Sequence, residues 1–264
     1  MDLGYFETSL DVKDLDRSVA FYEALGFQAI NGASEVGNVT MLRGDCRLGL
    51  YQGHLDPPQT QLIFWQGDIG AIAGHVAAQG LSFFREPKKD DEGGGSFMLK
   101  DPDGNPLYFV HMKTFYPGHP VHERKASAER PLALKMDGGL GWYEASLDVK
   151  DIGQSVEFYQ KLGFEIVFRE PKGTRVTMQS GDCRLGLFQG HLNPPGPQLI
   201  FWQGDIDALT NTVKRKGINF FSEPRREGEA GTFMLQDPDG HPLFFIRMPG
   251  VTRQQPDPTS AQTV

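Results

Sequence analysis

The sequence predicts an α+β fold: two tandem domains of one kind, each built from two βαβββ modules. Three observations carry this: a long internal repeat, a shorter repeat inside each copy, and regular alternation of strand and turn signals. Shifted by 137 positions, Gly4–Asp68 matches Gly141–Asp205 at 39 of 65 positions without a gap. Shared runs include SLDVKD, GDCRLGL, QGHL and QLIFWQGDI. After one deletion in the Gly-rich loop the match resumes at an offset of 136, with FML-x-DPDG-x-PL starting at Phe97 and Phe233. Self-similarity on this scale means two copies of one folding unit. The division expected is a first domain over 2–113, a connector over 114–138, a second domain over 139–249 and a tail over 250–264. The connector holds Pro117, Pro120 and Pro131 and mixed charge, which suits a partly extended link. The tail, with Pro256 and Pro258, has too little apolar content to fold by itself.

Each module starts with an extended segment, YFETSLDV, QLIFWQ, WYEASLDV or again QLIFWQ. A helix with clear punctuation comes next. Asp14, Asp68, Asp151 and Asp205 stand where an N-cap accepts a backbone N–H. Gly26, Gly80, Gly163 and Gly217 stand where the chain leaves the helix in the left-handed conformation. Val19, Tyr22 and Leu25 recur at helical spacing and mark a buried stripe. Short strand candidates follow: FQAI, VTML and CRLGLY in the first module, then LSFF, SFMLK and PLYFV in the second. DPDG at Asp101 and Asp237 is a turn between the last two strands.

Composition excludes several classes of function. The chain has 264 residues, 26 Lys plus Arg against 34 Asp plus Glu, a net charge of −8, 39% hydrophobic residues and 23% charged ones. That describes a globular protein rather than a disordered or membrane-spanning one. The acidic balance, with no long basic cluster, argues against nucleic acid as a partner. MDLGYFETSL lacks the basic and apolar regions of a secretory signal. Cys46 and Cys183 form neither a disulfide scaffold nor a zinc spacing and read as buried thiols. A cytoplasmic location is expected.

LDVKDLDRSVAFYEALGF from Leu10, LDVKDIGQSVEFYQKLGF from Leu147 and the two late DPDG turns resemble the vicinal oxygen chelate superfamily. It includes glyoxalase I, extradiol dioxygenases, methylmalonyl-CoA epimerase, fosfomycin-resistance enzymes and bleomycin-resistance proteins. The resemblance covers both domains and implies glyoxalase-like domains whose modules curl around an open cavity. It also implies a fused pseudo-dimer within one chain, itself a monomer or a homo-oligomer.

In that superfamily a divalent metal usually sits in the cavity, held by four side chains. The resemblance puts the first ligand at Glu7 and Glu144, the second at Gly49 and Gly186, the third at Gln61 and Gln198, and the last at Tyr108 and Phe244. Glycine and phenylalanine offer no donor, and a hard cation wants three or four convergent ligands. No metal or other cofactor is therefore expected, with a non-standard divalent site as the alternative.

Residues two apart on a strand share a face. With Glu7 inward, Ser9 and Asp11 follow, together with Arg47 and Tyr51 around Gly49, and Ile63 and Trp65 beyond Gln61. The second domain supplies Glu144, Ser146, Asp148, Arg184, Phe188, Ile200 and Trp202, with Gln198 and Phe244. Such a pocket, mostly apolar with a few polar groups, suits a small molecule. Arg47 is expected either in an ion pair with Asp11 or facing ligand. Glu7 and Glu144 are the candidate catalytic bases, with structural hydrogen bonding as the other reading. His54 and His191 read as rim residues beside prolines, and the glycines of DDEGGGSF as a loop before a hairpin. Three functions remain open: a metal-independent binder of an apolar or aromatic compound, a lyase, epimerase or dioxygenase, and an interaction module whose cavity is filled by its own side chains.

Overall fold

The computed structural model describes residues 1–89, 94–112 and 139–253. The first domain runs β1 (Gly4–Asp11), α1 (Leu15–Ala24), β2 (Gln28–Ala33), β3 (Asn38–Arg43) and β4 (Cys46–Tyr51), with a short 3-10 turn between β2 and β3. It continues as β5 (Gln61–Gln66), α2 (Ile69–Ala78), β6 (Arg85–Lys89), β7 (Gly95–Lys100) and β8 (Pro106–His111). The second domain repeats the order. Its first half is β9 (Gly141–Asp148), α3 (Ile152–Lys161), β10 (Glu165–Arg169), β11 (Arg175–Ser180) and β12 (Cys183–Phe188). Its second half is β13 (Gln198–Gln203), α4 (Ile206–Arg215), β14 (Ser222–Glu227), β15 (Ala230–Gln236) and β16 (Pro242–Arg247).

The helices are punctuated as the sequence implies. Asp14, Asp68 and Asp205 accept from the backbone N–H three residues on, and Asp151 accepts from Gly153 and Gln154. Gly26, Gly80, Gly163 and Gly217 take φ between 68° and 86°, the region where a Cβ is costly. The DPDG turns are held by their first aspartates: Asp101 Oδ1 accepts from the backbone N–H of Asp103 and Asn105, and Asp237 does the same for Asp239 and His241.

One strand expectation needs correction. LSFF (Leu81–Phe84) is not a strand; the edge strand is the polar run Arg85–Lys89. Phe83 packs edge-on against Phe97, 5.5 Å between ring centroids, and with Leu81 lies against the core. Pro87 cannot donate to the ladder, and the register shifts between Arg85 and Lys88. Charge and proline on an exposed edge also discourage pairing with another sheet.

Both modules of a domain share one eight-stranded sheet, ordered β2-β3-β4-β1-β5-β8-β7-β6 in the first domain, with the equivalent order in the second. β1 lies parallel to β4 and antiparallel to β5, so Ser9 faces Gly49 on one side and Gln61 on the other. Modules thus pair within each domain. On β1, Phe6 and Leu10 enter the main core, which also takes Tyr22, Phe64, Phe97 and Phe109 and runs on into the second domain through Tyr143, Phe164 and Phe201. The alternate residues Glu7 and Ser9 face the other way.

Contacts between the domains come in related pairs. Asp182 Oδ1 accepts from the Phe6 N–H, and Asp45 Oδ1 from the Tyr143 N–H. Each DPDG turn docks on the first helix of the other domain: Tyr22 donates to Asp237 at 3.1 Å, and Tyr159 to Asp101 at 3.0 Å. Ser18 and Ser155 donate to Asp239 and Asp103 in the same way. The expected connector over 114–138 lies outside the described residues, as does most of the expected tail. Of the tail, Arg253 is described and pairs with Asp45 at 3.0 Å.

Candidate functional site

Beside Glu7 and Glu144 the sheet face turned away from the helices carries two small apolar clusters. In the first domain Tyr51, Trp65 and Tyr108 pack with Leu55, Ile63 and Val110. In the second, Phe188, Trp202 and Phe244 pack with Trp142, Ile200 and Ile246. Strand alternation delivers these residues to one face, so the carboxylates sit beside aromatic rings.

Glu7 is 2% exposed, and four side chains donate to it. Ser9 Oγ and Tyr51 Oη reach Oε1 at 3.0 Å, Trp65 Nε1 reaches it at 3.3 Å, and Thr40 Oγ1 reaches Oε2 at 3.2 Å. Burial nevertheless pushes the Glu7 carboxyl above its usual range, with the Arg47 charge and the Ser9, Tyr51 and Trp65 donors acting against it. Glu144 is fully buried and differently served. Ser146 Oγ, Trp202 Nε1 and Thr177 Oγ1 approach it at 3.4, 3.2 and 3.0 Å. Two guanidinium groups replace the tyrosine: Arg175 Nη2 at 3.5 Å and Arg184 Nε at 3.7 Å. Arg184 is itself pushed below its ordinary value by burial, with Glu144 opposing.

Arg175 is the residue that the sequence reading missed. Its guanidinium lies 4.1 Å from the Trp202 ring centroid, 5.0 Å from Phe168 and 5.2 Å from Phe188, all within cation–π range. At the matching places the first domain has Asn38 for Arg175, Asn31 for Phe168 and Tyr51 for Phe188. The signal was present in the repeat, in the positions where the copies differ. Thr40 and Thr177 were also missed, because a threonine on a strand looks like any other.

The pair of Arg47 with Asp11 does not form. Arg47 lies over the Tyr5 ring at 4.5 Å and reaches Asp182 of the second domain at 3.9 Å. Asp11 and Asp148 stand at strand ends, each with a buried Oδ1 that has no hydrogen-bond partner among the described residues; Asp148 lines a surface cleft with Asp103 and Lys150 rather than the Glu144 cluster. Gln61 and Gln198 are buried and donate from Nε2 to the carbonyls of Pro57 and Pro194, which ties down the proline loop that carries His54 or His191. His54 sits against Gly37, where a Cβ would meet its Nε2 at 2.2 Å. Cys46 and Cys183 are buried free thiols whose pKa burial raises. Of the Gly-rich loop, Gly94 leads into Gly95, the first residue of β7, and residues 90–93 lie outside the described set.

The four family-type ligand positions can now be tested against the geometry. A Cβ at Gly49 would meet Glu7 Oε1 at 2.3 Å and Tyr51 Cε2 at 2.4 Å; at Gly186 it would meet Glu144 Oε1 at 2.4 Å. The second ligand position is therefore filled by the glutamate of the first. Glu7 and Glu144 spend their oxygens on hydroxyl, indole and guanidinium donors, which would have to leave before a cation could enter. Among the described residues no group of three His, Cys, Asp or Glu converges. The residues present do not make the superfamily's donor set.

The same two domains appear in comparisons with known proteins. The chain is similar in structure to a Mn(II)-bound glyoxalase from Novosphingobium aromaticivorans, with 16% identity, TM-score 0.58 and coverage of 92% of this chain and 80% of that one. It is likewise similar to catechol 2,3-dioxygenase, at 19% identity, TM-score 0.59, and 96% and 88% coverage. The 2,3-dioxygenase LapB from Pseudomonas sp. KL28 gives 16% identity, TM-score 0.59, and 97% and 93% coverage. These likenesses show the fold. A search among curated proteins found no match. The family described as Glyoxalase/Bleomycin resistance protein/Dioxygenase superfamily matches residues 4–109 and again 140–245, and the chain belongs to that superfamily as a tandem, two-domain member.

Proposed function

We propose that this protein binds a small apolar or aromatic molecule in a superfamily cavity without the superfamily's metal. The observation that carries the reading is the closed second ligand position: Glu7 and Glu144 lie where a Cβ on Gly49 or Gly186 would be, hydrogen-bonded to the neighbouring indole. What remains beside each carboxylate is a set of rings, Tyr51, Trp65 and Tyr108 in one domain and Phe188, Trp202 and Phe244 in the other. An apolar wall with one convergent polar group is the ordinary make-up of a small-molecule site. Gln61 and Gln198, engaged with proline carbonyls, support the walls rather than the ligand.

Elemental analysis of protein purified without chelator, joined to thermal melts with and without EDTA, tests the reading. No stoichiometric metal and an unchanged melting temperature are expected. About one divalent ion per domain, lost together with several degrees of melting temperature, would overturn it.

A second reading, a metal-free lyase or epimerase with Glu7 as general base, is favoured by one observation. Burial raises the Glu7 pKa, as a base working near neutrality requires. Glu7→Gln would abolish turnover of any substrate found, and unchanged turnover would refute this reading. Cys46 and Cys183, both buried and unbridged, fit a reducing, cytoplasmic setting, and among the described residues no helix is long and apolar enough to cross a membrane.

A further inference from the structure

One hairpin changes sign between the two copies. From the end of β10 to the start of β11 the second domain carries Arg169, Glu170, Lys172 and Arg175, where the first has Gly32, Ala33, Glu35 and Asn38. Three cations and a glutamate thus stand against a single glutamate. Arg169 and Lys172 are exposed on this lip. Arg175 is half-buried, with 19% of its side chain exposed, and its guanidinium stacks on Trp202. A guanidinium presents a rigid fork of N–H donors. Among the described residues the fork of Arg175 makes one hydrogen bond, from Nη2 to Thr177 Oγ1 at 3.4 Å, and its Nε makes none. Its ion-pair partner is Glu144 at 3.5 Å, which Arg184 shares at 3.7 Å and to which Trp202, Thr177 and Ser146 donate. A carboxylate divided in this way leaves Arg175 short of both acceptors and negative charge.

We infer that the second domain takes an organic anion, a carboxylate on an apolar or aromatic body, and that Arg175 receives the carboxylate. This rests on the small-molecule reading above and adds both the ligand's charge and the domain that selects it. The two oxygens of a carboxylate match the guanidinium fork, and the charge assists the hydrogen bonds. Stacking on Trp202 holds that fork in one plane, so little freedom is lost when it is used. Apolar contact for the body is close by. Phe168 lies 5.0 Å from the guanidinium, and Leu192 and Phe244, both half-buried, pack on the Trp202 cluster. Glu144 does not forbid a second anion, because it is fully buried and two guanidinium groups stand against its one charge. Arg169 and Lys172 on the lip add a positive potential that steers an anion inward. The first domain, with Glu35 and Asn38 at the matching places, lacks both the lip and the fork.

The test titrates naphthoate and its neutral isostere naphthamide into the full chain and follows the indole N–H signals of Trp65 and Trp202 by heteronuclear NMR. Naphthoate is expected to fill a single site and shift the Trp202 signal, with Trp65 unmoved. Naphthamide should bind about tenfold more weakly, as the loss of a hydrogen bond between charged groups implies. R175Q should bring naphthoate down to the affinity of naphthamide. R175K keeps the charge and loses the fork, so its preference for naphthoate should be smaller than in the wild type; it serves if R175Q does not fold. Equal affinities in the wild type, a preference unchanged in these variants, or a shift of Trp65 in place of Trp202 overturns the inference. Binding of naphthamide without naphthoate overturns it too, and leaves the broader reading standing. If neither compound binds, the inference falls, and the broader reading falls with it unless another neutral aromatic compound raises the melting temperature of the wild type.

Discussion

Glu7 and Glu144 occupy equivalent places in two copies of one domain, and their surroundings have diverged. Glu7 is held by four neutral donors, with the Arg47 charge nearby. Glu144 is held by three neutral donors and two guanidinium groups. The exchanges responsible are few: Tyr51 against Phe188, Asn38 against Arg175, Asn31 against Phe168. Together they turn a carboxylate with solvent-reaching walls into the centre of a closed ionic and aromatic cluster. Duplication left the frame alone and changed the contents, so an identical motif does not mean an identical site.

The largest effect that could break this comparison is on stability. Removing one partner of a buried ion pair costs about 3–5 kcal/mol, because the other charge is stranded. Glu144→Gln strands Arg175 and Arg184 and should fall in that range by urea unfolding. Glu7→Gln keeps an acceptor and removes a buried charge, so a change within about 1.5 kcal/mol is expected. Equal losses in the two variants would mean that the two carboxylates do the same work.

Next in size is the aromatic clamp itself. Arg175→Met keeps the volume and removes the charge, at a cost of about 1–3 kcal/mol from cation–π and ion-pair contacts. Trp202 should then become more accessible to a collisional quencher, while Trp65 should not change. A quenching profile unaltered by the substitution would separate Arg175 from the burial of Trp202.

The domain contacts give a smaller, symmetric effect. Tyr22→Phe and Tyr159→Phe each remove one buried hydroxyl bond to an aspartate of the opposite DPDG turn. Each should cost about 0.5–1.5 kcal/mol, the usual net worth of one intramolecular hydrogen bond, because each aspartate keeps its other donors. Asp237 also has His241 Nδ1 at 2.8 Å, whereas Asp101 has the Asn105 amide. The loss for Tyr22→Phe should therefore be the smaller, and the reverse order in parallel urea titrations would contradict that.

Much of the fold was legible because its signals are local. Asp14 and Gly26 end a helix by caps and a left-handed φ, and DPDG turns by Asx bonding, with no help from distant parts of the chain. β6 was missed because its residues, Arg85–Lys89, make an edge strand for a tertiary reason, while Leu81 and Phe83 just before it pack against the core and Phe84 is exposed. At the site, strand alternation correctly brought Glu7, Ser9, Tyr51 and Trp65 together. It could not show that Arg47 crosses to Asp182, because that partner lies 135 positions along in the other domain. Arg175 is not legible in what the copies share, because the contents of a site are set by the positions where they differ, Asn38 against Arg175.

The finest difference is in pH response, and its sign follows from burial. The Glu7 carboxyl is raised above its unfolded value, about 4.3 for a free glutamate. Below that value Glu7 is protonated in both states and its burial carries no charge penalty. As pH rises through the folded value the unfolded chain releases the proton more readily, and the wild type loses stability. Glu7→Gln has no such proton, so the stability difference between variant and wild type should move in the variant's favour from pH 4 towards neutrality. Urea unfolding at matched pH values measures it, and parallel profiles would show that Glu7 is as well compensated as a free carboxylate.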